Sequence, residues 1–104
     1  MGWEVYPEGF YQCIKKAAEY GVPVYITENG IGTDDDSQRA EYLRRGLEIT
    51  AEAIGRVDVR GFFHWTGVDN YEWLHGYDVS FGIIDRERRV RGSARVLTEA
   101  ALGG

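Results

Sequence analysis

The chain has 104 residues, enough for one small domain with a core. Its formal net charge of −5 argues against nucleic acid as the main partner. A single cysteine, Cys13, excludes an intramolecular disulfide and a cysteine-based metal site, and no apolar run is long enough to span a membrane, so we expect a cytoplasmic protein.

The first predicted element is a helix from Pro7 to Tyr20. Proline suits a first helical turn, and Gly21 is a favourable stop. One face of this helix is apolar and places Cys13 in the core; its residues are Phe10, Cys13, Ile14, Ala17 and Ala18. The β-branched run from Val22 to Thr27 then predicts a strand buried on both faces, as in a parallel sheet.

Glu28 follows this predicted strand directly and precedes Asn29-Gly30. An Asn-Gly pair readily forms a turn, so one interpretation makes Glu28 a simple turn residue. The other interpretation makes it a catalytic carboxylate at the mouth of a pocket.

A second helix is predicted from near Ser37 to Ile54, because apolar residues recur at three- and four-residue steps. Three aspartates, residues 34–36, precede it. They are compatible with a hard metal ion, but their position favours the positive end of the helix, and we expect no metal site. A second buried strand is predicted from Val57 to Trp65.

The strand–helix–strand order predicts a parallel βαβ unit. Two parallel strands leave unpaired edges, so the chain is expected to be part of a larger α/β fold, and its alternation suits a TIM (β/α)8 barrel. Residues 66–81 form a long aromatic loop of a kind that is usually functional. A hairpin of residues 81–85 and 89–91 follows, whose arginines either face solvent or bind an anion, and Ser93 is expected to cap a final helix.

The two predicted strands end on residues that suit a common site. In such barrels the active site lies at the C-terminal ends of the strands, which here carry Glu28 and Trp65. His64 is expected to face the other way as a structural residue. Trp65 itself is either a core residue or part of the site. The loop beyond it is rich in carboxylates, amides and aromatic rings, a composition typical of carbohydrate sites, because sugars combine apolar ring faces with a rim of hydroxyls.

Two stretches, YITENG at residues 25–30 and DVRGFFHWTGVDNYEWLHGYDVSFGIID at residues 58–85, resemble glycoside hydrolase family 1, the β-glucosidase and β-galactosidase family. The opening GWEVYPEGF at residues 2–10 resembles its pattern too. The resemblance implies that residues 1–104 are the C-terminal part of a single glycosidase barrel domain. That part would comprise the last two βα units of the TIM (β/α)8 barrel and the preceding helix, with a retaining mechanism and no cofactor or metal.

The resemblance also implies roles for single residues. Glu28 matches the catalytic nucleophile that forms the glycosyl-enzyme. Trp65 matches the tryptophan under the sugar, and Glu72 the carboxylate that holds two hydroxyls of the glycone. Trp73 matches an indole that donates to a third hydroxyl, and Phe81 an aromatic residue beside the same pocket.

The resemblance leaves one catalytic group unaccounted for. The family's acid/base glutamate belongs to an Asn-Glu-Pro motif, and here neither Pro7 nor Pro23 follows a glutamate. A retaining glycosidase needs two carboxyl groups, so the isolated chain is predicted to be inactive. A complementary N-terminal barrel fragment carrying the acid/base glutamate is the expected partner, and a β-glycoside the expected substrate.

An alternative is a non-catalytic barrel fragment that serves folding or assembly. Met1, directly before a mid-family motif, suggests a split or engineered piece. The sequence also departs from the family pattern at Gly67 and Val68, which stand where the family has two bulky apolar residues. This departure leaves the packing behind the sugar site open.

Overall fold

The computed structural model describes residues 7–103 and contains three helices and two strands in that range. The helices are α1 (Pro7–Ala18), α2 (Asp36–Ile54) and α3 (Ala94–Ala101), and the strands are β1 (Val24–Ile26) and β2 (Val59–Phe62). Each corresponds to a predicted element, although both strands are shorter than predicted. Residues 2–6 of the opening stretch lie outside the described residues. Within that range, no helix combines the length and apolar character needed to cross a bilayer.

The two strands pair in parallel, which confirms the predicted βαβ unit. Tyr25 aligns with Gly61 and Ile26 with Phe62, and the pairing is irregular just before Tyr25. Helix α2 forms the crossover that a parallel pair requires. Both strands therefore end at the same edge of the sheet, and the loops that follow them meet there.

The core lies between one face of this sheet and helices α1 and α2. Its buried members are Ile14, Ile26, Ile49, Ala53 and Val59. The opposite face carries the rings of Tyr25 and Phe63, which flank Gly61 and are 55% and 58% exposed. Because a parallel sheet is normally covered on both faces, this aromatic face lacks a covering layer within residues 7–103.

Helix α1 is followed by a turn that leads to Gly21, whose φ of +71° is the left-handed conformation that glycine favours. The prediction that Cys13 lies in the core was wrong, since its side chain is exposed. The helix packs on the core through Phe10, Tyr11 and Ile14, and Cys13 is not among the residues of this contact face.

The acidic residues before α2 mark its N-terminus, as predicted. Asp35 is the N-cap, and its Oδ1 accepts hydrogen bonds from the backbone N–H groups of Ser37 (3.0 Å) and Gln38 (3.3 Å). The hydrogen bond from the Ser37 side chain and those N–H groups lower the pKa of Asp35. Among residues 7–103, no group of three or more His, Cys, Asp or Glu side chains is arranged to hold a metal ion.

The loop after β2 folds back on its own first residues through the predicted hairpin. Ile84 and Val90 form an antiparallel bridge, and the Arg91 N–H donates to the Ile83 carbonyl (2.8 Å). Ile84 also bridges in parallel to Val68. Arg86, Arg88 and Arg89 are exposed, as expected for a solvated hairpin surface, whereas Arg91 is only partly exposed and pairs with Asp69.

Helix α3 follows Ser93, but the prediction that this serine caps the helix was wrong. Its side chain makes no capping hydrogen bond, because the Ser93 backbone is already helical (φ −59°, ψ −25°) rather than extended. Instead, its N–H and Oγ donate to Asp36 Oδ2 (2.9 Å) and Oδ1 (2.7 Å). Ser93 thus joins the start of α3 to the start of α2.

Candidate active site

The segments that carry Glu28 and Trp65 remain hydrogen-bonded beyond the ends of β1 and β2. The Phe63 N–H donates to the Ile26 carbonyl (2.8 Å), and the Trp65 N–H donates to the Asn29 carbonyl (2.9 Å). The peptide bond from Trp65 to Thr66 is cis. The two segments therefore leave the sheet side by side at its C-terminal edge.

A cleft of about 410 Å³ opens at this edge. Its lining residues come from both loops and from α2: Glu28, Asn29, Gly30, Tyr42, Trp65, Glu72 and Phe81. Four of the five site residues predicted from the sequence thus border one cleft. Two carboxylates supply hydrogen-bond acceptors there, and the indole and phenyl rings supply apolar faces.

Gly30 allows the two segments to approach closely. A Cβ atom on Gly30 would lie 2.0 Å from the carbonyl oxygen of Trp65, far inside any normal contact. Glycine is therefore required for the backbone beyond Glu28 to pack directly against the backbone of Trp65.

Glu72 lies in a tight turn that closes on Gly76. The Glu72 N–H donates to the Gly76 carbonyl (2.9 Å), and the Gly76 N–H donates to the Glu72 carbonyl (2.7 Å). The Glu72 Oε2 atom is buried and has no hydrogen-bond partner among the described residues. A buried acceptor without a partner is costly, so this oxygen is available to a ligand donor that enters the cleft.

Trp73 lies apart from the other predicted site residues. Its side chain is 95% exposed, and it does not line the cleft. The turn from Glu72 to Gly76 directs Glu72 to the cleft and leaves Trp73 and Leu74 in solvent.

His64 is half-buried behind the cleft. Its Nε2 lies 3.3 Å from the carbonyl oxygen of Phe81. Burial lowers the pKa of His64, with a further lowering by the charge of Arg39, against the opposing effect of the Phe81 and Asn29 carbonyls. The imidazole thus contacts the backbone at Phe81, while its Nδ1 is buried with no hydrogen-bond partner in the described part of the chain. The structural role expected for this residue stays a prediction.

Sequence reasoning missed Tyr42 and Asn29 as cleft residues. Tyr42 lies on α2, and burial raises its pKa. Asn29 Oδ1 is buried without a partner in the described part of the chain, close to Gly46 of α2. No apolar pattern in the sequence pointed to Tyr42, because the buried side of α2 next to it includes Arg39 and Gly46.

Comparison with known protein families identifies the family to which this chain belongs. The family described as Glycosyl hydrolase family 1 matches residues 1–102. The chain belongs to this family. The resemblance of its two motifs to family 1 is thereby confirmed.

Characterised relatives of the chain are family 1 glycosidases. It is 44% identical over 86 residues to a β-galactosidase of Pyrococcus woesei, a match that covers 82% of this chain and 17% of the relative. It is 43% identical over 96 residues to β-glucosidase A of Thermotoga maritima, with 81% and 22% covered. The chain thus spans about a fifth of the length of these relatives.

Solved structures give the same result for the fold. The β-glycosidase from Pyrococcus horikoshii superposes with a TM-score of 0.91 and 48% identity, over 97% of this chain and 25% of that one. The family 1 β-glucosidase from Thermotoga maritima superposes with a TM-score of 0.92 and 36% identity, over 100% and 28%. These neighbours are TIM-barrel enzymes, so the family 1 chain described here has the fold of part of such a barrel.

The departure from the family pattern at Gly67 lies in open space. A Cβ atom on Gly67 would meet no heavy atom within 4 Å in the described part of the molecule. No close contact therefore requires glycine at this position, and the absence of a side chain leaves open space beside the loop.

Proposed function

We propose that this chain supplies the catalytic nucleophile and part of the glycone site of a retaining β-glycosidase. The observation that carries the proposal is the shared cleft: Glu28, Trp65, Glu72 and Phe81, which come from two separate loops, line one cavity. In this proposal, β1 and β2 are the last two strands of the barrel, and the remaining strands come from a complementary N-terminal part.

The proposed chemistry begins at Glu28. Its carboxylate attacks the anomeric carbon of a β-glycoside, the bond to the leaving oxygen breaks, and an acid protonates that oxygen. In the second step the deprotonated acid takes a proton from water, whose oxygen attacks the anomeric carbon. The bond to Glu28 breaks, which releases the sugar and regenerates both the carboxylate and the acid. The acid must come from the complementary part, because no glutamate precedes a proline in this sequence and the family's acid/base residue lies in an Asn-Glu-Pro motif.

The remaining cleft residues suit the binding of a sugar ring. Trp65 and Phe81 offer flat apolar surfaces, and the unpartnered Glu72 Oε2 offers an acceptor to ring hydroxyls. Solved structures of the Thermotoga maritima β-glucosidase are complexes with glucoimidazole and with galacto-hydroximolactam. We therefore propose β-glycosides of the gluco and galacto configurations as substrates of the completed site.

Complementation tests this function. The chain is mixed with the N-terminal part of a family 1 barrel, and hydrolysis of a chromogenic β-glucoside is followed. We expect turnover from the mixture and none from either part alone. Glu28→Gln should abolish turnover, whereas Glu52→Gln, a matched change at an exposed position on α2, should leave it intact. Turnover by the 104-residue chain alone, or an active Glu28→Gln mixture, would refute the proposal.

The second candidate is a barrel piece that takes part in folding or assembly without catalysis. The aromatic face formed by Tyr25 and Phe63 favours it, since such a face needs a covering layer. In this case the chain would bind the N-terminal part, and the complex would neither hydrolyse the glucoside nor bind a glucose-like inhibitor. Phe63→Gln should weaken that association, and Tyr20→Gln, a change at a still more exposed aromatic residue after α1, should not.

A further inference from the structure

A buried arginine outside the cleft joins the two loops that form it. Arg39 lies near the start of α2, and its side chain is 1% exposed. Its Nη2 donates to the backbone carbonyls of Thr33 and Ser80, the latter at 2.8 Å. Thr33 belongs to the loop that begins at Glu28, and Ser80 directly precedes Phe81. One guanidinium thus holds both loops.

The contacts around Arg39 extend to two helices. The Thr33 N–H also donates to the Ser80 carbonyl (3.0 Å), so the two loops are bonded to each other at the same oxygen. Arg39 Nη1 donates to Asp36 Oδ1 (2.7 Å), and Asp36 accepts the N–H and hydroxyl of Ser93 at the start of α3. We call this set the Arg39 cluster; its members are Thr33, Asp36, Arg39, Ser80 and Ser93.

The Arg39 cluster is better suited to fixing geometry than to adding stability. Burying a guanidinium is costly, and a buried ion pair can often be replaced by apolar residues without loss of stability. A planar guanidinium, however, holds several acceptors in a fixed arrangement. Burial raises the pKa of Asp36, but hydrogen bonds from Ser93 and Arg39 outweigh this effect and lower it, so the carboxylate stays charged opposite Arg39.

We propose that Arg39 is a positioning residue of the β-glycosidase site. It sets the spacing between the loop that carries Glu28 and the loop that carries Glu72 and Phe81, without lining the cleft itself. This inference rests on the function proposed above for its consequence in catalysis. Its structural part concerns contacts made entirely within this chain.

Hydrogen exchange on the 104-residue chain tests the structural part. Arg39→Met keeps an unbranched side chain but removes every donor, so the Thr33 amide should exchange faster, on the order of tenfold. The Phe63 amide, which donates to Ile26 in the sheet, should be unchanged. Arg44→Met is the matched control, since Arg44 lies on the same helix and pairs with Glu41 and Glu48 at the surface. Arg44→Met should leave the exchange rates of the Thr33 and Phe63 amides unchanged.

Two exchange results would overturn the proposal. Unchanged protection of Thr33 would show that Arg39 does not hold the loops together. Equal acceleration at Thr33 and Phe63 would show a general effect on stability instead of positioning.

Kinetics of the complemented enzyme test the catalytic part. Arg39→Met should lower kcat/KM about 10- to 100-fold through misplaced loops, whereas Arg44→Met should leave it unchanged. Normal kinetics in Arg39→Met would overturn the catalytic part. If the wild-type mixture is inactive, the proposed function fails, and the exchange experiment still decides whether Arg39 positions the loops.

A second variant covers the case in which Arg39→Met does not fold. Arg39→Lys keeps the charge, but an ammonium lacks the fork that reaches Asp36 and both loop carbonyls together. The folded lysine variant should still show faster exchange at Thr33 with Phe63 unchanged. Unaltered Thr33 exchange in this variant would show that Arg39 does not hold the loops together, and failure of both variants to fold would make Arg39 a stability element. Either result overturns the proposal.

Discussion

Asp69 and Arg91 form a two-bond ion pair, in which Nη1 donates to Oδ1 and Nη2 to Oδ2, each at 2.8 Å. Gly82 completes the arrangement: its N–H donates to Asp69 Oδ1 (2.8 Å), and its carbonyl accepts from Arg91 Nη1 (2.7 Å). Asp69 precedes Glu72 in the chain, and Arg91 follows Phe81. The ion pair therefore joins the two ends of the loop that carries Glu72 and Phe81.

This pair predicts a specific loss of stability in acid. Burial raises the pKa of Asp69, but hydrogen bonds from Arg91 and the Gly82 N–H outweigh it, so the folded-state pKa lies below the unfolded value of about 3.9. A depressed carboxyl pKa contributes stability above the unfolded value and loses it as the pH falls through the folded value. Asp69→Asn should therefore cost roughly 1.5–3 kcal/mol of unfolding free energy at pH 7 and progressively less below about pH 4.

Urea denaturation of both chains at pH values from 7 down to 3 measures this difference. Asp34→Asn, a change at an exposed aspartate, is the control and should be close to neutral throughout. A difference between wild type and Asp69→Asn that stays constant with pH would contradict the expected role of the ion pair.

Two glycine substitutions should have opposite effects on stability. Gly30→Ala drives a methyl group to 2.0 Å from the Trp65 carbonyl oxygen and should destabilise the chain by roughly 1–3 kcal/mol. The methyl group of Gly67→Ala meets open space, and φ at this position lies outside the left-handed region. The change should therefore stabilise the chain by roughly 0.4–1 kcal/mol, because alanine lowers the conformational entropy of the unfolded chain. Thermal unfolding compares the two variants, and a stable Gly30→Ala chain would rule out the close approach.

Asp35 should contribute to stability as a helix cap. Asp35→Ala removes the acceptor for the Ser37 and Gln38 N–H groups and should lower the urea concentration at the unfolding midpoint. Asp34→Ala changes the neighbouring carboxylate, which is not the cap, and should cost much less. Equal losses in the two variants would point to the general effect of negative charge near α2 instead of capping.

Glu72 should show opposite effects on stability and binding. Replacing its partly buried carboxylate by the neutral amide of Glu72→Gln lowers the desolvation cost, and we expect a gain of about 1 kcal/mol in unfolding free energy. The same change should weaken inhibitor binding by the complemented enzyme, because the charged acceptor is lost. Calorimetry measures both the unfolding free energy of the chain and the affinity of the complemented enzyme for the inhibitor. A destabilised Glu72→Gln chain would show that Glu72 has a structural role.

The sequence predicted the parts of the site that depend on local pattern. Alternation of strand and helix, together with the rule that barrel sites lie at strand C-termini, predicts Glu28 and Trp65 at one edge of the sheet, where the structure also has them. Each strand was predicted too long, because strand-forming residues such as Thr27 and Phe63 continue past the point where pairing ends. Backbone hydrogen bonds such as Trp65 to Asn29 still extend the contact there.

Residues that depend on contacts distant in sequence were not predictable in this way. Arg39 reads as a surface charge in the sequence, but in the structure its guanidinium donates to Asp36 and to the backbone carbonyls of Thr33 and Ser80, which belong to two other segments. The Cys13 prediction failed for the opposite reason, since an apolar residue type does not specify whether a neighbour covers it. In both cases the missing information is which segment packs against the residue.

The close approach of Gly30 to Trp65 has a consequence for exchange of segments between family members. A chimera joined anywhere from residue 31 to residue 64 takes these two positions from different parents. The junction is tolerated when the first parent supplies glycine at position 30, because the contact on the other side is a backbone carbonyl that every residue has. Whether the two loops meet in a hybrid barrel is thus decided by one residue without a side chain.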